Sequence, residues 1–347
     1  MSFRTTVVGI GVSVLVCFPA RAGILLSVDD GRNWRTVTSP SPSVLNAAEF
    51  DNANPGFPTA MIVGDGGTIL KSTNSGDSFL EVASGTTSNL QGLAFRGDNF
   101  IAVGESGTIV ESRNNSLTNF TEVSTPTDSH LADAIMFRQT SPSNALTEIV
   151  VGASGTVLRR QDSGFLSISS NVTNDLNAVA HSGLGQIVAV GDRGSMSVST
   201  DFGLTFQSVQ TGLAIDLHDI VFEGNDYFIA GEDGMFLTAA SSDLSTLSSQ
   251  IVGSSDLLSI SGELSASILF GDRSGSIFRS DDDSLNGLVE TLSGSESVVS
   301  IDDGGGFGRQ IALTQGIAAV PEPSTLASLL SLYIFAGLGR RRRLNVR

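Results

Sequence analysis

The chain has 347 residues, 39 of them glycine, and carries 36 acidic side chains against 19 basic ones for a formal charge of −17. An excess of acid of this size argues against nucleic-acid or anionic-membrane binding by charge attraction. The single cysteine, Cys17, excludes a disulfide framework, and it falls in a segment expected to be removed, so no thiol-based metal or catalytic site is expected either.

Residues 1–22 have the form of a signal peptide. Arg4 precedes an apolar run from Val7 to Phe18, and Ala20-Arg21-Ala22 supplies the small-x-small pattern of a signal-peptidase site, so cleavage after Ala22 would leave Gly23 as the new N-terminus. Loss of Arg4, Arg21, Arg340 to Arg343 and Arg347 in maturation would leave 12 basic residues against 36 acidic ones.

The body, residues 23–320, is organised by a recurring stretch. Ile62-Val-Gly-Asp-Gly-Gly-Thr-Ile-Leu70 returns as Ala102-Val-Gly-Glu-Ser-Gly-Thr-Ile-Val110, Val150-Val-Gly-Ala-Ser-Gly-Thr-Val-Leu158, Ala189-Val-Gly-Asp-Arg-Gly-Ser-Met-Ser197, Ala230-Gly-Glu-Asp-Gly-Met-Phe-Leu237 and Phe270-Gly-Asp-Arg-Ser-Gly-Ser-Ile-Phe278. The first glycines stand at 64, 104, 152, 191, 231 and 271, at intervals of 40, 48, 39, 40 and 40 residues, the period of a propeller or solenoid array. Each copy reads as a strand, a glycine turn and a second strand. Upstream lies an apolar segment that usually starts with leucine, at Leu45, Leu90, Leu131, Leu176 and Leu217; downstream lies a short fourth strand such as residues 80–82, 120–123 or 206–209. Four antiparallel strands, A to D, are the content of one propeller blade, and such a blade buries its faces only by stacking on its neighbours.

A seventh copy is split between the chain ends. Residues 297–301 read as strand A and residues 309–320 as strand B with the start of C, while residues 23–37 supply strands C and D. Residues 316–320 and 23–27 compete for the place of strand C. The expected fold class is thus all-β, a seven-bladed β-propeller of four-stranded blades whose last blade is closed by both chain ends, followed by a C-terminal apolar stretch expected to form a transmembrane helix.

The opening stretch Gly23-Ile-Leu-Leu-Ser-Val-Asp-Asp-Gly-Arg-Asn-Trp34 resembles the Asp-box (BNR repeat), Ser-x-Asp-x-Gly-x-Thr-Trp/Phe, of sialidase-type propellers: Ser27, Asp29, Gly31 and Trp34 match, as do Ser199, Asp201, Gly203, Thr205 and Phe206, with a softened copy at Ser72, Asn74, Gly76, Ser78 and Phe79. The motif supports a tight turn, with Asp accepting backbone N–H bonds and Gly left-handed. Val-Gly-x-x-Gly-Thr-Ile followed by such a turn, in a seven-blade count, resembles the propellers of photosystem II assembly-factor-like proteins over most of residues 23–320. That resemblance implies the fold and a protein-binding role. The basic patch implied for those proteins has no clear counterpart here beyond Arg193 and Arg273 in an acidic background.

Residues 321–347 resemble the PEP-CTERM sorting signal: Pro321-Glu322-Pro323, an apolar stretch over residues 324–338, then Arg340, Arg341, Arg342 and Arg343. The resemblance implies an exosortase-type processing enzyme as partner, a membrane stage before processing, and a destination at the surface or in the extracellular matrix of a Gram-negative-type bacterium. The stretch is slightly short of the ~17–25 residues of a membrane helix, and the arginines fit a cytoplasmic tail.

No catalytic constellation is visible, and the chain is expected not to be an enzyme. Tyr227, beside Asp226, is placed in an A–B turn, and His130, His181 and His218 fall in different repeats without metal-ligand spacing. No cofactor is expected; Asp281-Asp-Asp283 and Asp302-Asp-Gly-Gly-Gly306 offer oxygens for calcium, against the plainer reading as solvated turns. The repeat itself supplies one constellation: Asp65, Glu105, Asp192, Glu232 with Asp233, and Asp272 in the B–C turns, a ring that would attract a cation or a basic partner unless these are merely tolerated turn residues. The expectation is an exported, non-catalytic binding or scaffold propeller with a surface protein or polysaccharide as ligand. The alternatives are a degenerate sialidase-like hydrolase or lyase and a matrix protein without a specific ligand.

Overall fold

The computed structural model describes residues 23–51, 58–113, 117–139, 144–263, 267–280, 288–303 and 309–315. They form seven four-stranded antiparallel sheets. The innermost strands, A, are Leu45–Phe50, Leu90–Arg96, Leu131–Arg138, Leu176–His181, Leu217–Glu223, Leu257–Glu263 and Ser297–Asp303, and they number the blades 1 to 7.

Burial follows position in the blade. Strand B lies between A and C and is covered on both faces by neighbouring blades, so Ala60–Gly64 and Ile187–Gly191 are buried at every residue and read as unbroken apolar runs. Strand D is the rim: Leu80–Val82 and Gln207–Val209 are largely exposed, and in blade 2 it shrinks to Thr121–Glu122. The core accordingly divides into seven apolar clusters among the described residues, one per blade interface. Phe137 and Ile149 of blade 3 meet Leu176 and Phe206 of blade 4, for example. Stability therefore resides in nearest-neighbour contacts, as in other repeat arrays.

The first repeat glycine is fixed by close approach rather than by φ: a Cβ on Gly104 would lie 1.9 Å from the Asn89 carbonyl oxygen. The second is fixed twice over, since Gly107 has φ +69° and its Cβ would lie 1.9 Å from the Thr127 carbonyl.

The ends close blade 7 as the split repeat predicts, and the competition for strand C is resolved. Gly23–Ser27 pairs with Gln310–Gln315 on one side and with Arg35–Val37 on the other. The Asp-box residues are turn supports. Asp201 accepts bonds from Ser199 Oγ at 2.8 Å, Thr205 N at 2.9 Å and Thr205 Oγ1 at 2.7 Å; Asp29 repeats this with Ser27 and Asn33. Gly203 of the same turn faces Ile149 of the preceding blade, leaving no room for a side chain.

Tyr227 departs from its expected place. It lies in strand B of blade 5, Asp226–Gly231, fully buried against Phe222, because a large side chain with one polar tip suits an interface whose facing residues, Ala178 and Ala180, are small. Among the described residues no helix is long and apolar enough to cross a membrane. The expected signal-peptidase residues Ala20 and Ala22, Asp281 to Asp283, and the tail with Pro321, Glu322, Pro323 and Arg340 to Arg343 lie outside the described residues, while Gly23 opens the first strand.

Candidate functional site: the channel and its acid-rich mouth

Every strand A carries a bulge, at its second residue in blades 1 to 6, as where Leu131 pairs with Gly152 and Asp133 with Val151, leaving Ala132 as the extra residue, and at its third, Val299, in blade 7. The bulge turns the first and third residues after it towards the axis of the ring. There they meet the backbone of the adjacent blade. Asp133 accepts Val179 N at 2.9 Å and Asp219 accepts Ile260 N at 2.9 Å; Ser259 accepts Ile301 N at 2.8 Å, and Asp302 accepts Phe50 N at 2.7 Å. Glu49 similarly accepts the backbone N–H of Phe95. These side chains bridge neighbouring inner strands, which are too far apart for a ladder of their own.

Glu49, Asp133, Asp219 and Asp302 stand in the wall of two adjoining cavities of about 240 and 310 Å³; Glu49, Asp133 and Asp302 line both. Burial, with the charges of Asp302 and Asp133 adding to it, holds Glu49 well above the usual carboxylate range. Burial, then the nearby Asp219, pushes Asp133 up to about 7, and burial raises Asp219 to about 6. His181, at the outer end, stacks on Phe137 at 4.1 Å and is pushed down to about 4, mainly by burial. His218 lines the other cavity. His181 Nδ1 and His218 Nε2 are buried and without a hydrogen-bond partner. Asp302, expected in a calcium-type turn, is instead part of strand A. Among the described residues no group of three or more His, Cys, Asp or Glu side chains is placed to hold a metal ion.

The mouth of the channel is built from the B–C turns and the D–A loops. The turn is one residue of right-handed and two of left-handed backbone, as in Asp192-Arg193-Gly194, where Arg193 has φ +53°. Its second N–H is taken by an Asn or Asp from the residue before the next blade's strand A: Gly66 N by Asn89, Ser154 N by Asp175, Arg193 N by Asp216 and Asp233 N by Asp256, at 2.7 to 3.0 Å. Sequence reading missed these four, although an Asn-Leu or Asp-Leu pair recurs at 89, 175, 216 and 256.

Of the residues expected to form the ring, all but Asp272 lie in equivalent B–C turns. Asp65, Glu105, Asp192 and Glu232 open their turns, and Asp233 follows Glu232 as the exposed second residue. Each of the four is engaged: Asp65 with Asn46 Nδ2 at 3.0 Å, Glu105 with Asn89 Nδ2 at 3.1 Å, Asp192 with Asn177 Nδ2 at 2.9 Å and Glu232 with Asp216 N at 2.9 Å. Asp272 is not their equivalent. Blade 6 has one extra residue between its glycines, so Asp272 takes the strand position held elsewhere by glycine, is buried, and holds Ser274 and Ser276 N. Arg273 occupies the ring position, its N–H bonded to the Asp256 carbonyl.

Charge is divided unequally between the two ends of the channel. Among the described residues, the D–A loops contain no Lys or Arg and the B–C turns only Arg193 and Arg273, the latter paired with Asp256 at 2.7 Å. Lys71, Arg96, Arg113, Arg138 and Arg160 all lie at the opposite end. There Glu148, 3% exposed, is held by Arg113 at 2.8 Å and Arg160 at 3.0 Å, with Arg160 also on Glu111, joining blades 2 and 3.

No family model and no curated protein matches the sequence. Solved structures match in fold. One described as YCF48 bound to D1 peptide superposes with a TM-score of 0.63 at 12% identity, covering 80% of this chain and 96% of that one. YCF48 from Cyanidioschyzon merolae gives 0.62 at 15% identity, covering 81% and 98%. At such identities the likeness establishes the architecture: the chain is a seven-bladed propeller of the kind seen in the YCF48 structures.

Proposed function

We propose that the chain is an exported, non-catalytic propeller that holds a basic protein or peptide partner against the face formed by its B–C turns and D–A loops. The observation that carries this reading is the segregation of charge. Asp65, Glu105, Asp192, Glu232 and Asp233 ring the mouth, with Asp175, Asp216 and Asp256 between them, and Arg193 and Arg273 are the basic residues of that face among those described. Fixed rings of one sign around a concave mouth concentrate a partner of the other sign and speed its encounter. The peptide held by a propeller of the same fold supports the choice of partner class. A sialidase-like reaction finds less support, since no Arg or Tyr is among the described residues lining the two channel cavities.

The tail supports export and surface sorting, with Pro321-Glu322-Pro323 offered to an exosortase-type enzyme and the arginines halting translocation. Intact-mass measurement on envelope fractions of the native host tests that part, with a mature chain from Gly23 to the vicinity of Pro323 expected; recovery of a tail through Arg347 on surface-exposed protein refutes it. The binding reading is tested by cross-linking and capture from the same envelope, with wild-type protein and a Glu105→Gln, Glu232→Gln, Asp233→Asn triple variant. A partner that is lost from the variant and at raised salt is expected; a partner retained equally by both moves the site off this face.

A further inference from the structure

One cavity on the mouth face differs in kind from the channel. It encloses about 320 Å³ between the D–A loop of blade 3, the B–C turn of blade 4, and the outer strand Gln207–Val209 of blade 4 with the loop that follows. No Asp or Glu is among the described residues lining it, although acids dominate the rest of that face. Its walls carry chiefly hydroxyl and amide groups, and one guanidinium, that of Arg193, stands among them.

The turn itself has no need of an arginine side chain. Arg193 has φ +53°, a region that disfavours long side chains, and the equivalent positions in blades 1, 2, 3 and 5 hold Gly66, Ser106, Ser154 and Asp233. What the turn uses is the backbone N–H, which Asp216 Oδ1 accepts at 2.9 Å. The guanidinium makes no hydrogen bond or ion pair with the described residues, whereas Arg273, the other cation of this face, is paired with Asp256. Neighbouring Asp192 is engaged by Asn177 instead. The side chains of Thr173, Ser208 and Gln210, in the same walls, are also without a partner among the described residues. A strained residue whose side chain does nothing within its own chain points to a contact with something else.

We propose that this cavity binds a hexuronate unit of an acidic polysaccharide. Arg193 takes the carboxylate in a two-pronged ion pair, the geometry for which guanidinium is suited. Thr173, Ser208 and Gln210 exchange hydrogen bonds with the ring hydroxyls, and Val172 and Leu213 meet its C–H face. The polysaccharide chain leaves past Gly212, where nothing lies within 4 Å of a Cβ position. A peptide's terminal carboxylate would meet the same guanidinium, but walls built mainly of hydroxyls and amides match a ligand covered in hydroxyls. This site goes beyond the partner proposed for the acidic ring and uses none of the ring's carboxylates.

The test is calorimetric titration of the full chain with trigalacturonate, its neutral methyl ester and an acetylated tripeptide with a free carboxyl, at 0.15 M salt, where a screening length of about 8 Å mutes the more distant acids. Saturable binding of trigalacturonate is expected, weakened by about tenfold or more, equal to ~1.4 kcal/mol, for the ester and for two variants. Arg193→Gly removes the guanidinium while relaxing the backbone, so it should unfold no more easily than the wild type. Ser208→Leu fills the cavity from an exposed position without changing charge. Arg32→Gln, which removes an exposed arginine from the Asp-box turn of the opposite end, should leave binding unchanged. No binding at millimolar trigalacturonate overturns the proposal, as does equal affinity for the ester or unchanged affinity in Arg193→Gly. Tighter binding of the tripeptide also overturns it, and makes the cavity a site for a chain terminus. Capture of a basic partner should be unaffected in Arg193→Gly, so failure of either reading shows separately.

Discussion

Closure of the ring by the strand Gly23–Ser27 gives the sharpest quantitative expectation. Ile24 is fully buried, pairs with Leu313 and Val37, and packs with Leu45, Phe50 and Phe79 across the interface between blades 7 and 1. Ile69 holds the same position in strand C of blade 1, also fully buried, at the interface with blade 2. Truncating a buried isoleucine to alanine costs about 2–5 kcal/mol, from lost transfer energy plus the cavity left behind. Against a total stability of about 5–15 kcal/mol, either substitution should shift a urea midpoint clearly. If the terminal strand is a full member of the ring, Ile24→Ala and Ile69→Ala should cost the same within about 1 kcal/mol, at unchanged m-value. Urea unfolding followed by circular dichroism measures both. A cost below about 0.5 kcal/mol for Ile24→Ala, with Ile69→Ala in the full range, would mean that the terminal strand frays and that the ring holds without it.

Three further outcomes are expected. Carboxylates whose pKa is raised by folding stabilise fully below their unfolded values and lose that contribution as pH rises through the folded ones, so with Asp133 at about 7, Asp219 at about 6 and Glu49 raised, the melting temperature should fall from about pH 5 to about pH 8; a rising or flat profile would contradict their burial. Asp201→Ala removes three turn bonds and should cost about 1 kcal/mol or more in thermal or urea unfolding, with capture of any partner unchanged. Arg160→Met should destabilise by up to about 3–5 kcal/mol by leaving Glu148 under-compensated, and the double variant with Glu148→Leu should regain much of that in the same assay; a double variant worse than the single one would show that the pair stabilises in its own right.

The propeller was legible because its glycines are irreplaceable for backbone reasons. Gly104 and Gly107 sit where a carbonyl lies within 2 Å of any Cβ, so the pattern persists while the rest of each copy drifts. The split blade was legible as well, and only the pairing of Gly23–Ser27 on both sides decided which end supplies strand C. One ring member was misassigned because aligning first glycines hides the extra residue in blade 6, which moves Asp272 into the strand and Arg273 into the turn. The channel carboxylates left no periodic trace. Glu49 is fifth in its strand, Asp302 sixth, Asp133 and Asp219 third, and they come from blades 1, 7, 3 and 5. What brings them together is the closure of the ring and the bulge that aims two positions of strand A inward, and neither is written in any single copy. The Arg113, Arg160, Glu111 and Glu148 cluster was invisible for the same reason, since it joins two repeats through strand ends that the motif does not cover.

The pairing of Gly23 with Thr314 spans 291 positions of the chain. Blades 1 to 6 are contiguous and can assemble as they emerge, each on the one before, but the first strand made is the last to find both of its partners. Until residues 310–315 arrive, blade 1 has no neighbour on one side and Gly23–Ser27 has no strand B to pair with. Loop closure over such a distance adds only logarithmically to the entropic cost but slows folding, as long-range pairing does generally. A ring lacking this one pairing has two unsatisfied edges, the kind of surface most open to pairing with another copy. Closing that gap with the N-terminal strand is the longest-range strand pairing among the described residues.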